Sequence, residues 1–224
     1  LTESFNSFKP KKVVNLAAQA GIRHSLAKPS EYMNSNLIGF LNIIELCRDS
    51  AVEGLIYASS SSVYGKNNPQ FSVKDRVDSP LALYAVTKRA NELIAYSYSQ
   101  LYSLNTTGLR YFTVYGPWNR PDMAMFIFIK NIIDSQPIPL FNNGNMMRDF
   151  TYIDDIINGT RSAIDKNYKC EIFNLGSNRS EKLIDVVLLI EKTLGTRATI
   201  DNLPMQSCDM VETCADIKHS KQKI

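Results

Sequence analysis

Histidine is nearly absent: the 224 residues hold only His24 and His219. A histidine-built metal site or a Ser-His-Asp triad would have to rest on His24, so neither a metal nor such a triad is expected. The four cysteines, Cys47, Cys170, Cys208 and Cys214, are scattered with no C-x-x-C pair. That spacing excludes a zinc ribbon or dithiol redox motif and fits reduced thiols in a cytoplasmic protein. No apolar run reaches the ~20 residues that span a bilayer, so no membrane partner is expected, and LTESFNSFKPKK lacks the apolar segment of a secretory signal. Neither sign of charge dominates. Lys and Arg number 25 against 22 Asp and Glu, a net charge of +3 at pH 7. That is too little to expect nucleic acid as a partner, although it suits an anionic small ligand. The ten glycines are dispersed, and none form the G-x-x-G-x-x-G or G-x-G-x-x-G turn that lets a pyrophosphate approach backbone N–H groups.

What is present is an ordinary globular composition, 44% hydrophobic and 21% charged, long enough for one domain with a sizeable core and a small lobe. Residues 12–18 (KVVNLAA), 54–59 (GLIYAS) and 106–112 (TTGLRYF) read as buried strands. Residues 30–47 and 80–101 carry helical spacing between them. Strand, helix, strand, helix, strand argues for an α/β fold: a parallel, doubly wound sheet with helices on its faces. The stretch 113–121 (TVYGPWNRP), rich in turn formers, reads as a loop. Beyond it the pieces shorten: helices over 123–134, 152–165 and 181–194, and strands over 138–141, 171–175 and 198–201. The division expected is 1–122 as the main domain and 123–224 mostly as a small α/β lobe, with segments returning to the main sheet.

The chemistry centres on YAVTK. Positions four apart share a helix face, so Tyr84 and Lys88 can point at one spot. A free tyrosine has a pKa near ~10 and is a poor base until a cation favours its anion. A neighbouring ammonium makes it a general acid/base for a substrate hydroxyl. The same spacing is common on exposed helices, so the pair gains weight from its surroundings. Ser60, Ser61 and Ser62 follow a strand, where hydroxyls at a parallel strand's carboxyl end meet ligands. Leu16, Ala17 and Ala18 end the first strand with small residues that admit a flat ligand to the backbone.

These segments, together with NSNLIGFLNIIELCR (34–48), YASSSSVYG (57–65), LRYFTVYGPWNRPDMA (109–124) and RDFTYIDDI (148–156), resemble the extended short-chain dehydrogenase/reductase family. This family comprises the sugar-nucleotide epimerases and dehydratases that use tightly bound NAD, and the resemblance runs along essentially the whole chain. It implies a Rossmann-like main domain and NAD as cofactor. Tyr84 would be the catalytic acid/base, Lys88 would hold the nicotinamide ribose and lower the tyrosine pKa, and Ser60 would be the catalytic hydroxyl. Leu16, Ala17, Ala18, Ala58, Ser59, Tyr111 and Phe112 would line the cofactor along with Tyr84 and Lys88. Asn36 would fix the loops around it. Arg148 would meet the diphosphate of a UDP-sugar, for which a planar guanidinium gives bidentate bonds.

TVYGPWNRPDMA is similar to the subgroup acting on UDP-glucuronate, with Asn119 in place of the usual glycine. Ser61, Ser62, Thr113 and Arg120 are then the candidates to hold the uronate. Dehydratases of the family carry acids where Ser61 and Ser62 stand, and the hydroxyls here favour C4 epimerisation to UDP-galacturonate for cell-surface polysaccharide. Another sugar-nucleotide epimerase or dehydratase, or a non-catalytic nucleotide-sugar-binding remnant, stays open. The resemblance also implies that the glycine turn precedes Leu1 and that the family continues past Ile224. The chain therefore reads as an internal piece of a longer active protein, weak in NAD binding and activity by itself. The family's habit implies a homodimer through the 30–47 and 80–101 helices.

Overall fold

The computed structural model describes residues 1–206 and 208–224. Its centre is a four-stranded, all-parallel sheet in the order Lys12–Asn15, Gly54–Ser60, Thr106–Tyr111, Cys170–Leu175. Parallel neighbours need long crossovers, and the sequence supplies helices for them. The helical stretch from Pro29 to Asp49 joins the first pair, Leu83–Tyr102 the second, and Ile153–Lys166 lies within the third connection.

Both faces of the sheet are covered, as a Rossmann-like doubly wound fold requires. On one face Leu55 and Tyr57 pack with Phe40, Ile44, Cys47 and Ala95 from the first two helical connections. On the other, Ile56, Leu109, Phe173 and Leu175 pack with Ile156 and Ala163 of the Ile153–Lys166 helix. Successive residues of each strand serve opposite faces, which is why these strands read as continuous apolar runs. Among the described residues the Lys12–Asn15 strand has one neighbour, and Val14 and Leu16 are exposed.

A second apolar cluster forms the lobe. Phe128 and Ile132 from the Ala124–Ile133 helix meet Leu183 and Val187 from the Leu183–Leu194 helix over Ile138 and Leu140. The Ile138–Phe141 strand pairs in parallel with Ile200–Leu203, and Met147–Arg148 pairs antiparallel with Glu181–Lys182.

Several sequence-based boundaries are corrected. The first strand stops at Asn15, and 16–18 are loop. The expected loop over 113–121 begins with a strand, Thr113–Tyr115, which pairs in parallel with Phe150–Tyr152. Helical structure expected from 30 starts at Pro29 and runs to Asp49 through a π-helical turn at Met33–Ile38. Lys182 still belongs to a strand, so the last lobe helix starts at Leu183. The strand expected over 198–201 lies at Ile200–Leu203.

Candidate functional site

The site lies at the carboxyl ends of the sheet, between sheet and lobe. The Gly54–Ser60 strand runs straight into a tight 3-10 turn, Ser61–Tyr64. Ser60 caps this turn: its hydroxyl oxygen accepts from the Ser62 amide at 3.2 Å and from the Ser62 hydroxyl at 3.0 Å. A serine cap satisfies an amide that would otherwise be orphaned at the turn's start.

The Leu83–Tyr102 helix brings Tyr84 to the same place, with the Ser60 hydroxyl beside its phenol. One turn on, Lys88 is 4% exposed, its Nζ donates to the Ala58 carbonyl at 2.8 Å, and it stands 5.9 Å from the centre of the Tyr84 ring. Structure thus gathers Ser60, Tyr84 and Lys88 around one point. Burial raises the Tyr84 phenol above its ordinary pKa, while the Ser60 hydroxyl and the Arg120 charge pull it back. Burial lowers the Lys88 pKa to about 8. Lys88 is not among the groups that lower the phenol. The ammonium is turned to the Ala58 carbonyl, and desolvation of the phenol outweighs what lowers it.

Asn36, in the π-helical turn, is buried and wired to both sides. Its carbonyl accepts from the Gln19 amide at 2.8 Å, and its amide donates to the Gln19 carbonyl and to Thr87 Oγ1, each at 3.0 Å. It therefore ties the 16–20 loop to the helix that carries Tyr84. π-Helical turns often mark functional positions, and this one aims a polar side chain inward. Tyr32 Oη donates to the Ala20 and Gly21 carbonyls at 2.9 and 2.7 Å, and its ring meets the Tyr84 ring edge-on at 6.2 Å.

Other expected cofactor residues show their side chains elsewhere. Ser59 Oγ donates to Glu92 at 2.6 Å, behind the sheet. Tyr111 Oη shares a hydrogen bond with Thr160, and Phe112 is buried against Tyr64 and Phe71. Ser59, Tyr111 and Phe112 therefore present backbone, not side chain, at the strand ends. Ala17 is exposed, Ala18 half-buried and Leu16 exposed, so this loop is open to a bulky partner.

Around the substrate side, Ser61 is half-buried and Ser62 buried. Thr113 is half-buried, with its amide on the Asp149 carbonyl at 3.1 Å. Arg120 pairs with Asp122 through Nε at 2.9 Å and Nη2 at 2.6 Å, so Nη1 takes no part in the pair. Its charge reaches both Tyr84 and Tyr32. Arg148 is half-buried, and burial lowers its pKa while Asp209 and Arg23 act on it from nearby. Its Nη1 donates to the Met147 carbonyl at 2.8 Å and to the Val211 carbonyl at 3.2 Å.

Arg23 escaped the sequence reading. It pairs with Asp209 at 2.7 Å and lies 3.8 Å over the Phe141 ring. No local pattern in GIRHSL signals it, because both partners are more than a hundred residues away. Trp118, the only tryptophan, is fully exposed with a left-handed φ of 64°, at the rim of an apolar groove with Tyr115, Phe126 and Ile129. Among the described residues no cluster of His, Cys, Asp or Glu could hold a metal, and no helix is long and apolar enough to cross a membrane.

A doubly covered parallel sheet with a tyrosine, a lysine and a serine converging at its carboxyl end belongs to the dinucleotide-binding class. Residues 1–176 match the NAD dependent epimerase/dehydratase family, and the chain belongs to that family. It is 46% identical to "Protein CapI" of Staphylococcus aureus, over 97% of this chain and 71% of that protein. It is 42% identical to a UDP-glucuronate 4-epimerase of Thermodesulfobacterium geofontis, over 97% of this chain and 68% of the other. The fold superposes with a TM-score of 0.94 and 34% identity on UDP-glucuronic acid 4-epimerase from Bacillus cereus in complex with UDP-glucuronic acid and NAD, covering 99% of this chain and 71% of that one.

The family works with NAD. The donor set here fits the nicotinamide end of that cofactor: Lys88 has two N–H groups left after Ala58, the Tyr84 phenol stands beside it, and the small Ala17 and Ala18 adjoin. No glycine-rich turn for the pyrophosphate follows the Lys12–Asn15 strand.

Proposed function

We propose that the full-length protein is a UDP-glucuronate 4-epimerase, forming UDP-galacturonate for cell-surface polysaccharide. The carrying observation is the makeup of the site around Tyr84. The Ser60–Ser62 turn offers hydroxyls and no acid, and the Arg120 charge reaches the phenol from the rim. A site without a second acid cannot drive loss of water, and a guanidinium beside it suits a uronate carboxylate.

Tyr84 takes the proton of the sugar 4-hydroxyl and later returns it. NAD, when bound, supplies the hydride acceptor and donor at C4. Lys88, with Tyr84, would hold the nicotinamide ribose, and its ammonium stabilises the phenolate when it leaves the Ala58 carbonyl. Ser60 orients the phenol and the sugar oxygen. Arg148, with Arg23 close by, would hold the diphosphate. Thr113, Ser61, Ser62 and Arg120 would hold the carboxylate away from the geometry in which a 4-keto uronate loses CO₂. The exposed apolar residues of the two crossover helices, Leu41, Leu93 and Tyr96 among them, support a homodimer.

The experiment is to supply the full-length protein with NAD and either UDP-glucuronate or UDP-glucose, following the sugar protons by NMR. UDP-galacturonate is the expected product. Turnover of UDP-glucose alone, or release of a UDP-pentose, would overturn the reading.

A further inference from the structure

Behind the site lies a buried ion pair that the reaction above does not use. Glu92 follows Tyr84 and Lys88 at four-residue steps, so all three share one face of the helix. Its side chain is fully buried and takes two parallel bonds from Arg110, Nε to Oε1 and Nη2 to Oε2, each 2.8 Å. Ser59 adds a bond to Oε1 at 2.6 Å, and Arg89 one to Oε2 at 3.0 Å. The Arg110 guanidinium lies 4.8 Å over the Tyr64 ring, and Tyr64 Oη donates to Asn174 at 2.6 Å. Nη1 of Arg110 has no partner among the described residues.

Burying such a pair is costly. Desolvation offsets most of the attraction, and apolar residues of similar size are often as stabilising. The pair's placement is informative. Ser59 stands between Ala58, whose carbonyl holds Lys88, and Ser60, which lies beside Tyr84. Arg110 directly precedes Tyr111. The pair thus fastens the helix to both strands whose carboxyl ends carry the site.

We propose that Glu92 and Arg110, with Ser59, form a positioning clamp that sets where Tyr84 and Lys88 stand against Ser60 and Ala58, and that turnover depends on it more than folding does. The clamp rests on the reading of Tyr84 as acid/base. The groups facing Tyr84 are Ser60, Lys88, Tyr32 and Arg120, with Asp122 behind Arg120. Neither Glu92 nor Arg110 is among them, so the clamp acts through position.

The test replaces both partners with apolar residues, Glu92→Met with Arg110→Met, in the full-length protein with NAD. The expected result is a Tm near wild type and a kcat about 100-fold lower, the cost of a displaced reacting group. KM stays within about threefold. The Tyr84 phenol, titrated by ultraviolet difference against Tyr84→Phe, moves upward as it loses Ser60. If that double variant does not fold, Ser59→Ala, which keeps both charges of the pair, takes its place, with a loss of about tenfold expected in kcat at a Tm near wild type. Wild-type kcat in a folded clamp variant overturns the proposal, as does an unmoved Tyr84 titration. Since the titration needs no turnover, a moved titration in a protein that converts no sugar supports the clamp and sinks only the functional reading.

Discussion

The Lys88 ammonium donates to the Ala58 carbonyl at 2.8 Å while the residue is 4% exposed. One neutral acceptor does not compensate a buried cation, and burial brings its pKa from 10.5 to about 8. The folded protein therefore sheds this proton before the unfolded chain does. Stability is penalised below pH 8 and recovers as pH rises from about 8 to 10.5.

Lys88→Met should accordingly be more stable than wild type at pH 7, by up to about 3 kcal/mol. The difference should shrink across pH 8 to 10.5, as read by denaturant unfolding. The same variant should lose turnover. A Met variant less stable at pH 7 would show that the buried ammonium stabilises the fold.

Tyr84→Phe removes the phenol beside the Ser60 hydroxyl and keeps the ring that packs on Tyr32. Turnover should fall by about a thousandfold, with bound NAD unchanged. In the wild type, kcat/KM should rise with pH through the neutral range as more phenolate forms, because burial holds the phenol above its ordinary pKa. A flat profile would remove Tyr84 from the proton step.

Arg120→Met should separate substrates. If Arg120 holds the uronate as proposed, KM for UDP-glucuronate should rise about tenfold, and any CO₂ release should increase. Binding of UDP alone, measured by calorimetry, should be unaltered. Equal loss for UDP-glucose would show that Arg120 serves the loop, through Asp122, and not the uronate.

Asp149 is wholly buried and accepts from Thr151 Oγ1, Ser177 N and Oγ, Asn178 N and Ala215 N. Asp149→Ala strands three backbone amides and should cost about 3 kcal/mol or more. Thermal unfolding measures it directly. A change under about 1 kcal/mol would mean that water replaces the carboxylate.

The strands Gly54–Ser60 and Thr106–Tyr111 and the Tyr84–Lys88 pair were legible because their signals are local: β-branched runs and a four-residue step. Thr113–Tyr115 was not legible as a strand. Its partner, Phe150–Tyr152, is far along the chain, and a turn-rich context masked it. Arg23 was invisible for the same reason, since only folding brings Asp209 and Phe141 to it. Spacing reports proximity but not desolvation, so the direction of the Tyr84 shift has no signal in the sequence. Ser59 sits within the right motif, yet strand alternation turns its hydroxyl to Glu92.

Trp118 stands in water two positions before Arg120, and no other indole exists in the chain. The loop therefore carries its own fluorophore. Excited at the red edge of its absorption, where tyrosine does not absorb, this indole begins fully solvated, so an arriving nucleotide sugar that draws the loop inward would register as a blue shift, without any attached dye.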